Sequence, residues 1–187
     1  MPHSFRNSLT HNIDSHNHLK KFLFSIFMIQ KGSKINTDFN LRIVENGEEK
    51  EVRFAGLLAR PAVVSVYMKN NTGSCNKQNN SLAEHAAAFD ARGYTLIAIS
   101  KDGCRSHKNY AEKLGISYIL ASDPDYAFAA ATDSIIEKKM YGKVFQGPSR
   151  SAFLIDTDGT VRDYIEKIDP PRHAEELLEL IDQHQNA

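Results

Sequence analysis

Apolar and polar positions follow two rhythms along this chain, and the alternation between them predicts the elements. Ala62-Val-Val-Ser-Val-Tyr67 is a β-branched apolar run of buried-strand length, and Tyr94-Thr-Leu-Ile-Ala-Ile-Ser100 is a second. Between them, residues 76–92 carry Leu82, His85, Ala86 and Phe89 at helical spacing and stop at Gly93. Residues 105–114 predict a helix ended by Gly115, Ile116–Leu120 a short strand, and Asp123-Pro-Asp125 the start of a further helix with Pro124 in its first turn. Asn46-Gly47 lies between Leu41–Val44 and Val52–Phe54, and Asp158-Gly159 between Ser151–Asp156 and Val161–Ile165. Both are hairpin signals. Pro170-Pro171 introduces a last helix near 172–184, with Ala174, Leu177, Leu178 and Ile181 on one face. Strands that alternate with helices and close on a hairpin predict an α/β sandwich around a single mixed sheet. No internal repeat or interdomain linker interrupts it.

Residues 1–27 break this rhythm. They hold His11, His16 and His18 among Asn, Ser and Thr, without helical or strand periodicity. The trio reads either as a metal-binding cluster or, as preferred here, as part of a disordered polar leader. Lys20 and Lys21 precede the apolar run Phe22–Ile29, which is far shorter than the ~20 residues a membrane span needs. No small-residue cleavage site follows it, which argues against a secretory signal. Met28 stands where a compact domain can begin, so residues 28–187 are expected to form one domain and 1–27 a leader or an over-extended start.

Composition narrows the function. The 187 residues suit one domain with a sizeable core. Lys plus Arg number 23 and Asp plus Glu 23, a balance that leaves no electrostatic footprint for nucleic acid or for an anionic membrane surface. The two cysteines, Cys75 and Cys104, are too few for a disulfide scaffold or a four-thiolate zinc site. They suffice for redox or nucleophilic chemistry.

Cys75 follows a buried-type strand after the loop Met68-Lys-Asn-Asn-Thr-Gly-Ser74 and heads a predicted helix. A thiol there feels the positive end of the helix dipole and free N–H groups, and both favour the thiolate. The C-terminal edge of an α/β sheet is also where such folds keep their sites. By position alone, a reactive cysteine and an inert buried one are equally served.

The surrounding residues decide between them. Tyr67-Met-Lys-Asn-Asn-Thr-Gly-Ser-Cys75 resembles the active-site loop of the peroxiredoxins, in the branch called peroxiredoxin Q or bacterioferritin comigratory protein, which typically reads Tyr-Pro-Lys-Asp-Asn-Thr-Pro-Gly-Cys. The match continues through Ser100-Lys-Asp-Gly-Cys-Arg-Ser-His107, Ser122-Asp-Pro-Asp125, Glu137-Lys-Lys-Met-Tyr-Gly-Lys143 and Arg150-Ser-Ala-Phe-Leu-Ile-Asp156. It covers roughly residues 28 to 184. The resemblance implies a thioredoxin-like fold, a central mixed sheet flanked by helices, and a cytoplasmic thiol peroxidase, monomeric or a weak homodimer. Its substrates would be hydrogen peroxide and small alkyl hydroperoxides, and its electrons would come from thioredoxin or another thiol. No metal, haem or flavin cofactor is required. Cys75 would be the nucleophile and pass through a sulfenic acid. Thr72 matches the threonine whose hydroxyl holds the peroxide, and Arg150 the arginine that is a fixed cation beside both. Without the resemblance, Thr72 reads as a turn or N-cap residue and Arg150 as a surface charge. Tyr67 and Tyr141 are expected as pocket walls, His85 and His107 as packed residues, and the charges at 137–139 as a solvated loop.

Among its departures from the pattern, which include Gly73-Ser74 for the family's Pro-Gly and Asn76-Lys-Gln-Asn-Asn80 after the cysteine, two bear on the chemistry. Met68 stands where the family has a proline that shields the thiolate, which keeps a second reading alongside: a catalytically weakened redox sensor or binding module of the same fold. Resolving cysteines in this branch often lie five or some thirty-six residues after the nucleophile, and here those positions are Asn80 and Ala111. Cys104, 29 residues after Cys75, is the candidate resolving cysteine. Resolution by Cys104, one-cysteine chemistry with an external thiol, and an inert Cys104 all stay open.

Overall fold

The computed structural model describes residues 28–140 and 142–186. The expected leader with its histidine trio, and Tyr141, lie outside the described residues. Among the described residues there are nine strands, β1 Asn40–Glu45, β2 Glu48–Arg53, β3 Ala62–Val66, β4 Thr95–Ser100, β5 Ile119–Ser122, β6 Ile135–Met140, β7 Lys143–Pro148, β8 Ala152–Ile155 and β9 Val161–Ile165. Five helices accompany them, α1 Gly73–Glu84, α2 Ala86–Ala91, α3 Cys104–Leu114, α4 Ala127–Ala131 and α5 His173–Gln185. Seven strands form one mixed sheet in the order β2-β1-β5-β4-β3-β8-β9, and β6 and β7 pair separately. The expected single mixed sheet flanked by helices is therefore present, with a two-stranded hairpin beside it.

The period-two rhythm of β3 and β4 divides the core. Val63, Leu96 and Ala98 face α1, α2, α3 and α5 with Leu82, Phe89, Tyr110, Leu177 and Ile181. Val64, Val66, Ile97 and Ile99 face the other side with Phe54, Leu58, Phe128 and Phe153. Both faces are covered, so the strands read as nearly continuous apolar runs. Ser65 is the polar exception in β3 and is fully buried. β3 and β4 run parallel with Val66 opposite Ile99, so the loops after them leave the same sheet edge side by side.

Asn46 and Gly47 both have positive φ, 51° and 76°, in a two-residue turn of the kind expected from that pair. Four elements differ from the reading of the sequence. The helix expected over 76–92 begins earlier, at Gly73, and breaks at His85, whose N–H turns back to the Leu82 carbonyl while its ring Nδ1 lies 2.9 Å from the Ser81 carbonyl. The strand expected at 116–120 starts at Ile119, because the Ile116 N–H closes the end of α3 on Ala111. Asp123 caps α4 by accepting from the Ala127 and Phe128 N–H groups at 2.7 and 3.0 Å, which leaves Pro124 in the turn before the helix. The charged run 137–143 is a hairpin rather than a loop, turning at Gly142 with φ 77°.

Aromatic packing fixes the face opposite the long helices. Phe153 meets Phe128 edge-on at 5.6 Å and Tyr164 at 6.2 Å, and Phe128 reaches Phe54 at 5.4 Å. Phe153→Ala is expected to lower stability by about 3–5 kcal/mol through the cavity left behind. Val144→Thr, on an exposed strand of the hairpin, should stay within about 0.5 kcal/mol. Urea denaturation of the two variants checks both figures.

Candidate active site

The loop after β3 is built to turn sharply into α1. Asn71 takes the left-handed conformation at φ 59°, which asparagine tolerates, and Thr72 is the extended N-cap residue, its hydroxyl donating to the Lys69 carbonyl at 3.1 Å. Cys75 thus falls in the first turn of α1, with its side chain closed off from solvent. Arg150, just before β8, reaches it: Nη2 donates to Cys75 Sγ at 3.4 Å. The same guanidinium donates through Nη1 to Gln78 Oε1 at 2.6 Å. Gln78 lies three residues after Cys75 and so shares its helix face. Its Nε2 donates to Ser65 Oγ at 2.9 Å and to the Val66 carbonyl at 3.2 Å, and Ser65 Oγ lies 2.9 Å from His173 Nε2. A buried polar chain therefore runs from the sulfur through Arg150, Gln78 and Ser65 to the start of α5. It also explains the buried serine in β3.

Two opposed effects set the thiol's acidity. Burial raises it, but hydrogen bonding from the Thr72 side chain and the backbone at Lys69 and Met68, together with the Arg150 charge, outweighs burial and leaves Cys75 below its ordinary value. His173 is held neutral, its pKa pushed down to about 3 by burial and then by the charge of Arg150. His107 is lowered to about 4, chiefly by burial.

A second network fastens the Cys75 loop to the loop that opens α3. The Asn70 N–H donates to Asp102 Oδ2 at 2.8 Å, and the same oxygen accepts from Ser100 Oγ at 3.0 Å. Asn70 Nδ2 donates to Ser106 Oγ at 2.8 Å, and Asn70 Oδ1 accepts from the Tyr67 hydroxyl at 2.7 Å. His107 Nδ1 lies 3.2 Å from Asn70 Nδ2. His107 is thus a packed member of this clamp, and His85 bonds within its own helix turn; neither touches the sulfur. Tyr67 is fully buried and stacks on Tyr110 at 6.2 Å, and the Tyr110 hydroxyl donates to the Cys75 carbonyl at 3.3 Å.

Cys104 is the first residue of α3 and is buried. Burial pushes its thiol up, against the opposing charges of Arg42 and Lys108. Arg42 belongs to β1, three places from β3 in the sheet, a separation of about 14 Å at the ordinary strand spacing. The groups that act on the Cys104 sulfur include none of those acting on Cys75. Both cysteines are free thiols.

The structure thus gathers Cys75, Thr72 and Arg150, and adds residues the sequence reading left out. Gln78, Ser65 and His173 carry no local motif; only the spacing of Gln78 from Cys75 hinted at a shared face. Lys138, on β6, places its ammonium against the Met68 thioether at the start of the Cys75 loop.

A model of the AhpC/TSA family matches residues 33–164. The chain is 34% identical over 122 residues to Peroxiredoxin Bcp of Xanthomonas campestris, covering 65% of this chain and 76% of that protein. It is 27% identical over 142 residues to a putative peroxiredoxin bcp of Helicobacter pylori, covering 76% and 91%. Among solved structures, Xanthomonas campestris peroxiredoxin Q aligns with a TM-score of 0.72 at 29% identity, covering 79% of this chain and 92% of that one. A structure of the bacterioferritin comigratory protein from the same organism, obtained as a trapped intermediate and ligand complex in work on its alkyl peroxide reduction, aligns with a TM-score of 0.74 at 26% identity, covering 83% and 99%.

Iodoacetamide labelling against pH should separate the two thiols. Cys75 is expected to react with a midpoint below the free-thiol value of about 8.5, and Cys104 with one above it. Folding stability should also depend on pH through His173 and His107. Their folded pKa values lie below the unfolded value of about 6.5, so the unfolded chain binds more protons in between. Stability is full above about 6.5 and falls as the pH drops toward 4, by up to about 1.4 kcal/mol per pH unit for each histidine. His173→Gln should reduce that slope in urea melts taken across this range.

Proposed function

The chain belongs to the AhpC/TSA family, in its peroxiredoxin Q or bacterioferritin comigratory protein branch, and is a thiol peroxidase; from that premise we propose that Cys75 is its peroxide-attacking nucleophile, with Thr72 and Arg150 as its partners. The observation that carries the assignment is the Arg150 guanidinium, 3.4 Å from the sulfur and braced on its other arm by Gln78. The Cys75 thiolate attacks one peroxide oxygen, an S–O bond forms, the O–O bond breaks, and the departing hydroxide or alkoxide takes up a proton. Negative charge moves from sulfur onto oxygen during the step. Arg150 cannot lose its proton near neutral pH and so compensates both ends of that movement. Bracing by Gln78 spares the reorganisation a free arginine would need. The Thr72 hydroxyl, at the N-cap beside the sulfur, holds the incoming peroxide. Hydrogen peroxide and small alkyl hydroperoxides are the substrates we assign.

The Cys75 sulfenic acid must then be reduced. Residues 80 and 111 are Asn and Ala, and Cys104 is a buried thiol in a first helical turn facing a different set of charges. Pairing it with Cys75 requires the Cα atoms to approach within about 7 Å and the two buried sulfurs to meet. These features favour recycling by an external thiol, thioredoxin or a smaller one, in the cytoplasm, where such reductants are maintained.

Cys75→Ser is expected to abolish peroxide consumption with dithiothreitol as reductant, and Arg150→Met to lower kcat/KM by about 10²–10³-fold, the effect of losing a fixed donor to the developing charge. Cys104→Ser should retain turnover. Intact mass after one equivalent of peroxide should show the gain of one oxygen on Cys75. Loss of two hydrogens in the wild type, absent from Cys104→Ser, would instead make Cys104 the resolving residue.

A further inference from the structure

Lys138 is a cation without a carboxylate. No acidic side chain among the described residues lies within ion-pairing distance of it, although most other half-buried charges of the molecule are paired or hydrogen-bonded. Its ammonium rests on the Met68 sulfur, the weakest acceptor a protein side chain offers. Nor is it remote from the chemistry. Its charge interacts with those of Arg150, Cys75 and Lys101, and burial together with Arg150 holds its pKa below the ordinary lysine value. The carboxylate of the loop that opens α3, Asp102, is already committed to the Asn70 N–H and the Ser100 hydroxyl. The rim beside Met68 is therefore positive and under-neutralised.

The shape of the hairpin adds to this. Lys138 pairs across it with Phe145, so the two side chains share a face. Both converge over Gly147, where an added Cβ would touch the Phe145 ring at 3.7 Å and the Lys138 stem at 3.8 Å. Phe145 is 41% exposed, a large apolar side chain left in solvent beside an ammonium. Met68, Phe145 and the lysine stem form an apolar lip with one cation at its end.

We propose that Lys138 is the anchoring cation for the reducing co-substrate, and that this co-substrate is a low-molecular-mass thiol carrying a carboxylate. The proposal rests on the reading of Cys75 as a peroxidatic cysteine recycled from outside. The carboxylate pairs with the Lys138 ammonium and displaces it from Met68. The thiolate then attacks the Cys75 sulfenic acid: an S–S bond forms, the S–O bond breaks, and the hydroxide leaves as water after taking a proton. A second molecule of the thiol attacks the outer sulfur, releasing the Cys75 thiolate and a disulfide of the co-substrate. Two thiols supply the two electrons.

The test uses the full chain oxidised by one equivalent of hydrogen peroxide, with 3-mercaptopropionate, 2-mercaptoethanol and cysteamine as anionic, neutral and cationic thiols. The rate of loss of the sulfenic acid is measured and corrected for each thiol's thiolate fraction. Wild type should favour the anion over the neutral thiol by about threefold to fivefold, the scale of one partly exposed ion pair, and the preference should shrink with added salt. Lys138→Gln should abolish the preference, Lys138→Arg should restore it, and Lys138→Glu should turn it toward cysteamine. Equal corrected rates for the three thiols in wild type would overturn the proposal, as would reduction by thioredoxin alone. Failure of Cys75 to form a sulfenic acid would instead sink the peroxidase assignment beneath it, so the two failures are distinguishable. Circular dichroism of each variant confirms that the compared proteins are folded.

Discussion

A sulfur shut away from water can carry negative charge only beside a charge that compensates it, and here that charge is Arg150. The 3.4 Å contact between its guanidinium and Cys75 Sγ ties the first turn of α1, which follows β3, to the start of β8, the antiparallel neighbour of β3 in the sheet. Burial works against the thiolate, so the first turn of α1, the Thr72 side chain and the arginine must together overcome it. Much of the surrounding structure follows from holding that cation still. Gln78 fixes one arm of it, Ser65 and Val66 fix Gln78, and His173 meets Ser65 from the far helix. Each link of this chain is a direct polar contact, which is what keeps such groups inside a core, although the Nδ1 of His173 at its far end has no hydrogen-bond partner. Burial, and after it the charge of Arg150, keeps His173 neutral, so this histidine adds no second positive charge to the chain.

The second requirement is a loop that does not drift. Met68 lacks the rigidity of a proline ring, and in its place the chain uses Asn70, whose backbone and side chain bind Asp102, Ser106 and Tyr67. Parallel pairing of β3 with β4 places the two loops side by side and makes that clamp reachable. His107 belongs to the clamp, which accounts for a buried histidine that the chemistry does not use.

Much of this was legible in the sequence. Asn46-Gly47 and Asp158-Gly159 announced turns that need positive φ, and Gly159 has φ 83°. The β-branched runs at 62–67 and 94–100 announced strands buried on both faces. Cys75, Thr72 and Arg150 stood out through their motifs. What escaped depended on partners far along the chain. Gln78 is legible only once Arg150, 72 residues away, has been folded against it, and Ser65 only once His173 arrives 108 residues later. The 135–148 hairpin escaped for another reason. Its strands join no other sheet, and the charges Glu137, Lys138 and Lys139 fall on consecutive positions, so no apolar alternation marks them. The break at His85 was hidden because helical spacing runs straight through it, while the backbone there turns through φ −113° and ψ 8°.

The central claim is that Cys75 is activated by a fixed cation rather than merely buried. Stopped-flow oxidation of the protein by hydrogen peroxide across pH 5 to 9, in wild type and Arg150→Met, tests it most directly. The account predicts a wild-type rate constant far above that of a free thiol even after correction for thiolate fraction, with an apparent pKa below the ordinary cysteine value. Loss of Arg150 should lower the corrected rate and move the pKa upward. A wild-type protein that reacts no faster than free cysteine at equal thiolate concentration would contradict the account, and would leave this fold as a redox sensor or binding module.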